Sequence, residues 1–184
     1  MLSDVDIMIR VQAGETSLFT ELVQRYQKKL LRFASSKLVN RSDAEDLVQE
    51  AFLAAFHSRH SYSPAFEFST WIWTITLNLA RRANLKSSRT TQRERDFSKL
   101  RATANGPEQP FHSLIEAEQS ETLDRWLSTI PEPQGDAIRL KYFGELKYSE
   151  IALAMDCSES GAKRRVKLGL LKLADLANLE SNDS

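Results

Sequence analysis

Lys163, Arg164 and Lys167 fall one and four residues apart in a segment of helical periodicity, so the three cations share one stripe. Their side chains offer only hydrogen-bond donors, which at the leading end of a helix can reach guanine O6 and N7 or clamp phosphate oxygens. Ser160 lies at the start of the stripe, and Arg165 points about a quarter turn away, where it suits a phosphate. The opposite face carries Ala162, Val166, Leu170 and Leu173 for packing. Ser158 stands at the N-cap, its hydroxyl placed to accept from first-turn amides. Tyr148 to Met155 reads as a shorter helix before the turn, so Tyr148 to Leu173 has the pattern of a helix-turn-helix. A solvated basic helix has the same composition, and the rest of the chain must decide between them.

Two further clusters bear chemistry. Asp43, Asp46 and Glu50 lie at i, i+3 and i+7, an acidic stripe with Gln49 as a neutral hydrogen-bonding neighbour, opposite Leu47, Ala51 and Ala54. A basic partner could dock there, or the carboxylates could serve only the helix dipole. Phe66, Phe68, Trp71 and Trp73 precede Asn78, Arg81 and Arg82. Rings stack on unpaired bases, an amide reads a base edge and cations hold phosphates, which is the equipment of strand separation. Trp71 shares a stripe with Ile72, Ile75 and Leu79 and is expected in the core, leaving Asn78 and Arg82 as the better contacts.

The elements that position these residues are helical throughout. Six glycines, five prolines and the lack of alternating runs argue against strands. Ser3 to Ala13 reads as a short helix closed by Gly14, and Glu15 to about Val39 as a long core helix. Ser42 with Glu45 predicts a capping box opening a helix from Asp43 to His57, and a fourth helix spans Ser69 to Ala83. Periodicity fails from about Lys86 to Ser113 and returns over Leu114 to Ile130, Glu132 to Phe143, Tyr148 to Met155 and Ser158 to about Leu176. The expected architecture is all-α: two small helical domains, 1–86 and 114–184, joined by a flexible linker at 87–113, the second ending in the helix-turn-helix.

Composition narrows the function. The 184 residues balance 25 Lys and Arg against 25 Asp and Glu, which disfavours coating of DNA by bulk charge and predicts weak binding to duplex by the chain alone. The one cysteine, Cys157, allows no internal disulfide and is best read as a small buried residue. No metal-ligand spacing, glycine-rich phosphate loop or nucleophile–base pair is present, and His57, His60 and His112 have no triad partner. No catalysis, metal or cofactor is expected. No apolar run approaches the roughly 20 residues of a membrane span, so the expectation is a cytoplasmic protein without membrane insertion.

The stretch Asp43-Ala44-Glu45-Asp46-Leu47-Val48-Gln49-Glu50-Ala51-Phe52 resembles the helix by which bacterial sigma factors grip RNA polymerase. Phe68-Ser69-Thr70-Trp71-Ile72 with Asn78-Leu79-Ala80-Arg81-Arg82 resembles the promoter-melting segment of the small extracytoplasmic-function (ECF) sigma factors. Ile130-Pro131-Glu132-Pro133-Gln134, Leu140-Lys141-Tyr142-Phe143, Tyr148-Ser149-Glu150-Ile151-Ala152 and Ser158-Glu159 match the pattern of their second domain. The resemblance implies a subunit that binds core RNA polymerase through the beta-prime clamp helices and the beta flap. It also implies recognition of promoter DNA at the −35 and −10 elements, melting of the latter, and restraint by an anti-sigma factor. In such a protein Asp43, Asp46, Gln49 and Glu50 would meet polymerase. Tyr62, Phe66, Asn78, Arg81 and Arg82 would meet the −10 element, the loop at about His60 to Glu67 capturing a flipped base. Ser160, Lys163, Arg164, Arg165 and Lys167 would meet the −35 element. Gly161-Ala162 and Leu168 depart from the family's usual Thr-Val and arginine, which bears on −35 specificity. The competing expectation is a free-standing helix-turn-helix regulator that binds duplex DNA without polymerase.

Overall fold

The computed structural model describes residues 2–38, 40–97 and 114–182. The elements are α1 (Asp4–Gln12), a 3₁₀ turn (Thr16–Leu18), α2 (Phe19–Lys37), α3 (Arg41–His57), a second 3₁₀ turn (Arg59–Ser61), α4 (Phe68–Phe97), α5 (Leu114–Thr129), α6 (Glu132–Tyr142), α7 (Tyr148–Ala154) and α8 (Glu159–Asn182). No strand occurs among the described residues, in keeping with the all-α expectation.

Local signals account for most boundaries. Ser3 Oγ accepts from the Asp6 amide at 3.1 Å while the Asp6 carboxylate accepts from the Ser3 amide at 3.3 Å, a reciprocal cap that starts α1. Gly14 ends it at φ 110°, a conformation that side chains resist. The helix packs through Ile7, Met8 and Val11, all fully buried, and Asp4 accepts from Arg25 and Tyr26 of α2.

Three expectations are corrected. Ser42 does not cap α3: the extended residue is Asn40, its carbonyl accepts from the Ala44 amide at 3.1 Å, and the earlier start lets Arg41 pair with Glu45 at 3.1 Å one turn on. Helix α4 continues to Phe97, through the polar Ser87 to Gln92 stretch that composition suggests as linker; the remainder of that linker lies outside the described residues. Trp71, expected in the core, is only partly buried against it, and the fully buried indole is Trp73, on a second face of α4 that meets Phe33 of α2 and Gly144.

That second face is where the two halves of the chain meet. One apolar core runs from Ile7, Leu22, Leu30, Phe33 and Ile72 in the first half to Leu140, Leu146, Ile151 and Val166 in the second. Trp73 lies edge-on to Phe33 with ring centroids 5.3 Å apart, and a Cβ at the buried Gly144 would stand 3.0 Å from its Cε2. Beside it Asp136, wholly buried, accepts from Lys37 Nζ at 2.5 Å and Arg81 Nε at 3.1 Å, and Lys37 also reaches Glu132 at 2.7 Å. Arg139 donates from Nε to Ser36 Oγ and from Nη2 to the Ser36 carbonyl, each at 2.7 Å. Burial holds the Arg139 guanidinium below its usual pKa, opposed by the Asp136 carboxylate. The buried charges are thus paired or hydrogen-bonded, which is what allows them inside.

Candidate nucleic-acid and partner interfaces

The acidic stripe stands out from α3 as its spacing predicts. Ala44, Leu47, Val48 and Ala51 are buried, and Asp43, Asp46, Gln49 and Glu50 are exposed on the other side. Asn40 Nδ2 donates to Asp43 at 3.1 Å, whereas Asp46 and Glu50 have no ion-pair partner among the described residues. Alongside runs a groove between α2 and α3 lined by Val23, Gln27, Leu31, Val48, Gln49 and Phe52. Its α2 wall is built of Val23 and Leu31, which are also partly packed against the core, so periodicity groups them with the packing face and does not mark the groove.

The loop into α4 divides the aromatic pair. Tyr62 is 4% exposed, its ring against Trp71 and Phe68 at centroid distances of 5.3 and 6.2 Å. Its hydroxyl donates to the Phe66 carbonyl at 2.7 Å, and burial, with Glu67 and Asp4 nearby, pushes its pKa up to about 12. Phe66 is 51% exposed, so of the two rings this one offers a face to solvent. On α4, Asn78 and Arg82 lie one turn apart and exposed, while half-buried Arg81 turns to Asp136.

In the helix-turn-helix, α7 ends at Ala154 with Met155 as its C-cap, and Asp156 takes the left-handed φ of 49°, which a short polar side chain tolerates. Ser158 then accepts from the Gly161 amide at 3.1 Å, the expected cap. Ala162 and Val166 are buried, as is Gly169, where a Cβ would stand 2.6 Å from Ile138 Cδ1 of α6; Leu170, expected inside, is 39% exposed. Ser160, Lys163, Arg164 and Lys167 face solvent and Arg165 is half-buried. Lys163 Nζ pairs with Glu159 at 2.7 Å and lies 5.7 Å from the Tyr148 ring centroid; the Glu159 hydrogen bond holds its pKa above the usual lysine value.

Among the described residues no group of three or more His, Cys, Asp or Glu could hold a metal, and no helix is long and apolar enough to cross a membrane. Cys157 is half-buried against the core, and His112 lies outside the described residues.

The described residues form an all-α fold that carries a helix-turn-helix and, apart from it, an exposed acidic face. Sigma-70 region 2 matches residues 22–90 and sigma-70 region 4 matches residues 120–173, together more than half of the chain. The ECF RNA polymerase sigma-E factor of Escherichia coli strain K12 is 29% identical over 175 residues, covering 90% of this chain and 89% of that one. Two solved structures share the fold. CnrH, in complex with the cytosolic domain of CnrY, has a TM-score of 0.73 at 20% identity over 96% of this chain and 97% of that one. The sigma factor RpoE, in complex with the anti-sigma factor NepR from Bartonella quintana, has 0.65 at 24% over 86% and 97%. The chain belongs to the sigma-70 family of RNA polymerase sigma factors, in its ECF group. It is a non-enzymatic initiation factor that acts with polymerase, and not a free-standing regulator.

Proposed function

We propose that Asp43, Asp46, Gln49 and Glu50 on α3 fasten the chain to the clamp helices of core polymerase, and that two further faces address promoter DNA. Phe66, Asn78 and Arg82 form the first, with Tyr62 and Arg81 beneath them, and serve the −10 element. Ser160, Lys163, Arg164, Arg165 and Lys167 form the second, on α8, and serve the −35 element. The division into 1–86 and 114–184 assigns one element to each half, the second half also meeting the beta flap.

The observation that carries this reading is the state of the α3 ridge. Asp46 and Glu50 are exposed, without an ion-pair partner among the described residues, and lie beside a groove on a helix whose other face is used in packing. Melting needs no bond chemistry. A ring and an amide that bind unpaired bases better than paired ones shift the duplex equilibrium by that difference in affinity. Net neutrality leaves little affinity for duplex outside the holoenzyme, so specificity appears only once polymerase holds both faces to the same DNA. The groove beside the ridge is also the surface that an anti-sigma factor would cover, as a protein of that kind accompanies the similar Bartonella sigma factor. Work on polymerase places the chain in the cytoplasm.

The test is a titration of core polymerase with the labelled chain. Asp46→Ala combined with Glu50→Ala should weaken capture tenfold or more, and Lys163→Ala should leave it within twofold. Unchanged capture by all acidic-ridge variants would remove the proposed interface.

A further inference from the structure

The last residue of α1 reaches across to the loop that precedes α4. Gln12 Nε2 donates to the Arg59 carbonyl at 2.8 Å and to the Tyr62 carbonyl at 2.9 Å, so both protons of one amide hold one bend of chain some 50 residues away. The bonds continue from there. Tyr62 is fixed at its carbonyl by Gln12 and at its ring by Phe68 and Trp71, and its hydroxyl fixes the Phe66 carbonyl at 2.7 Å. At the end of this series the Phe66 ring is exposed. The anchor is firm, because α1 is itself held by buried Ile7, Met8 and Val11 and by Asp4 on Arg25 and Tyr26.

We propose that Gln12 is a positioning residue for base capture: the N-terminal helix sets the loop so that Phe66 is already in place when a −10 base unstacks. This rests on the reading of that loop as the base-capturing one. The physical reason is preorganisation. A loop left to order itself on binding spends part of the stacking energy on its own backbone, and a loop already braced does not. Glutamine suits the position because two carbonyls need two donors. Glutamate, its isostere, would set a carboxylate against both oxygens.

The experiment compares Gln12→Glu, Gln12→Ala and Phe66→Ala in the full chain assembled with core polymerase, on a template from which the wild-type holoenzyme initiates. It reads permanganate reactivity of unpaired −10 thymines, polymerase capture, and hydrogen exchange of loop amides 60–67 in the free protein. Both Gln12 variants should lower opening about tenfold, leave capture within twofold and speed loop exchange. Gln12→Glu added to Phe66→Ala should cost no more than Phe66→Ala alone, the mark of one residue acting through the other. A purely structural role would instead lower capture with opening and add to Phe66→Ala. Normal opening with Gln12→Glu, while Phe66→Ala fails, overturns the brace and spares the reading of the loop. Normal opening with Phe66→Ala overturns both.

Discussion

Lys163 shows how much a single side chain is asked to supply. Its ammonium stands at the leading end of α8, drawn toward Glu159 and the Tyr148 ring. The pair is open to solvent and weak, so a guanine edge or a phosphate can take the cation over at little cost. Lys163→Ala should therefore reduce output from cognate promoters by about tenfold, within the roughly 1–3 kcal/mol of a base contact, with thermal stability unchanged. Arg164→Ala and Lys167→Ala separate the two ways a cation can act. Removing a cation that holds a phosphate lowers binding on all sequences and flattens the salt dependence by about one unit, whereas removing one that reads a base relaxes discrimination at one position. Quantitative run-off assays on promoter variants at two salt concentrations distinguish them.

Several helix boundaries are legible because their cause is local, although the equally local Ser42–Glu45 pair does not cap α3. Gly14, the acidic stripe of α3 and the Ser158 cap each lie within a few residues of what they control, and each appears where the sequence implies. Helix α4 shows the limit. Its burial is completed by elements remote in sequence, Phe33 of α2 and the chain around Gly144, so periodicity points to Trp71, which packs only partly against the core, while Trp73 is the residue enclosed. The same holds for Gln12, whose partners are 47 and 50 residues away and which carries no local mark of its role. Close helix approach makes another such demand at Gly169. Alanine there would put a Cβ within 2.6 Å of Ile138 Cδ1, and the strain should lower stability by about 1–3 kcal/mol, seen as a reduced Tm. By contrast Asp46→Ala, on the exposed side of α3, should leave Tm within about a degree or two while weakening capture, because surface changes of this kind stay near 0.5 kcal/mol.

Across the whole molecule the two halves are docked, through Trp73 against Gly144 and through Asp136 between Lys37 and Arg81. None of this is visible in composition: Arg139 and Ser36, which share two hydrogen bonds, are 103 residues apart. Removing one partner of a buried ion pair costs about 3–5 kcal/mol, so Asp136→Asn should loosen the docking, and small-angle scattering should show a radius of gyration rising from about 16 Å for a compact chain of this length. Acid should act in the same direction. The Lys37 hydrogen bond holds the Glu132 carboxyl below its usual range. Its contribution is therefore present above the unfolded value of about 4.3 and is lost as the pH falls through the lower folded value. Scattering across pH 3 to 7 checks this, with expansion expected only at the acid end.

The most direct measurement of the account as a whole is run-off transcription from a genomic library by core polymerase supplied with this chain. Discrete start sites should appear with the wild-type chain and vanish with Asp46→Ala plus Glu50→Ala through failed assembly. With Lys163→Ala, output should fall while assembly persists. Failure of the wild-type chain to confer initiation on any template, or tight sequence-specific binding to duplex DNA without polymerase, would contradict it.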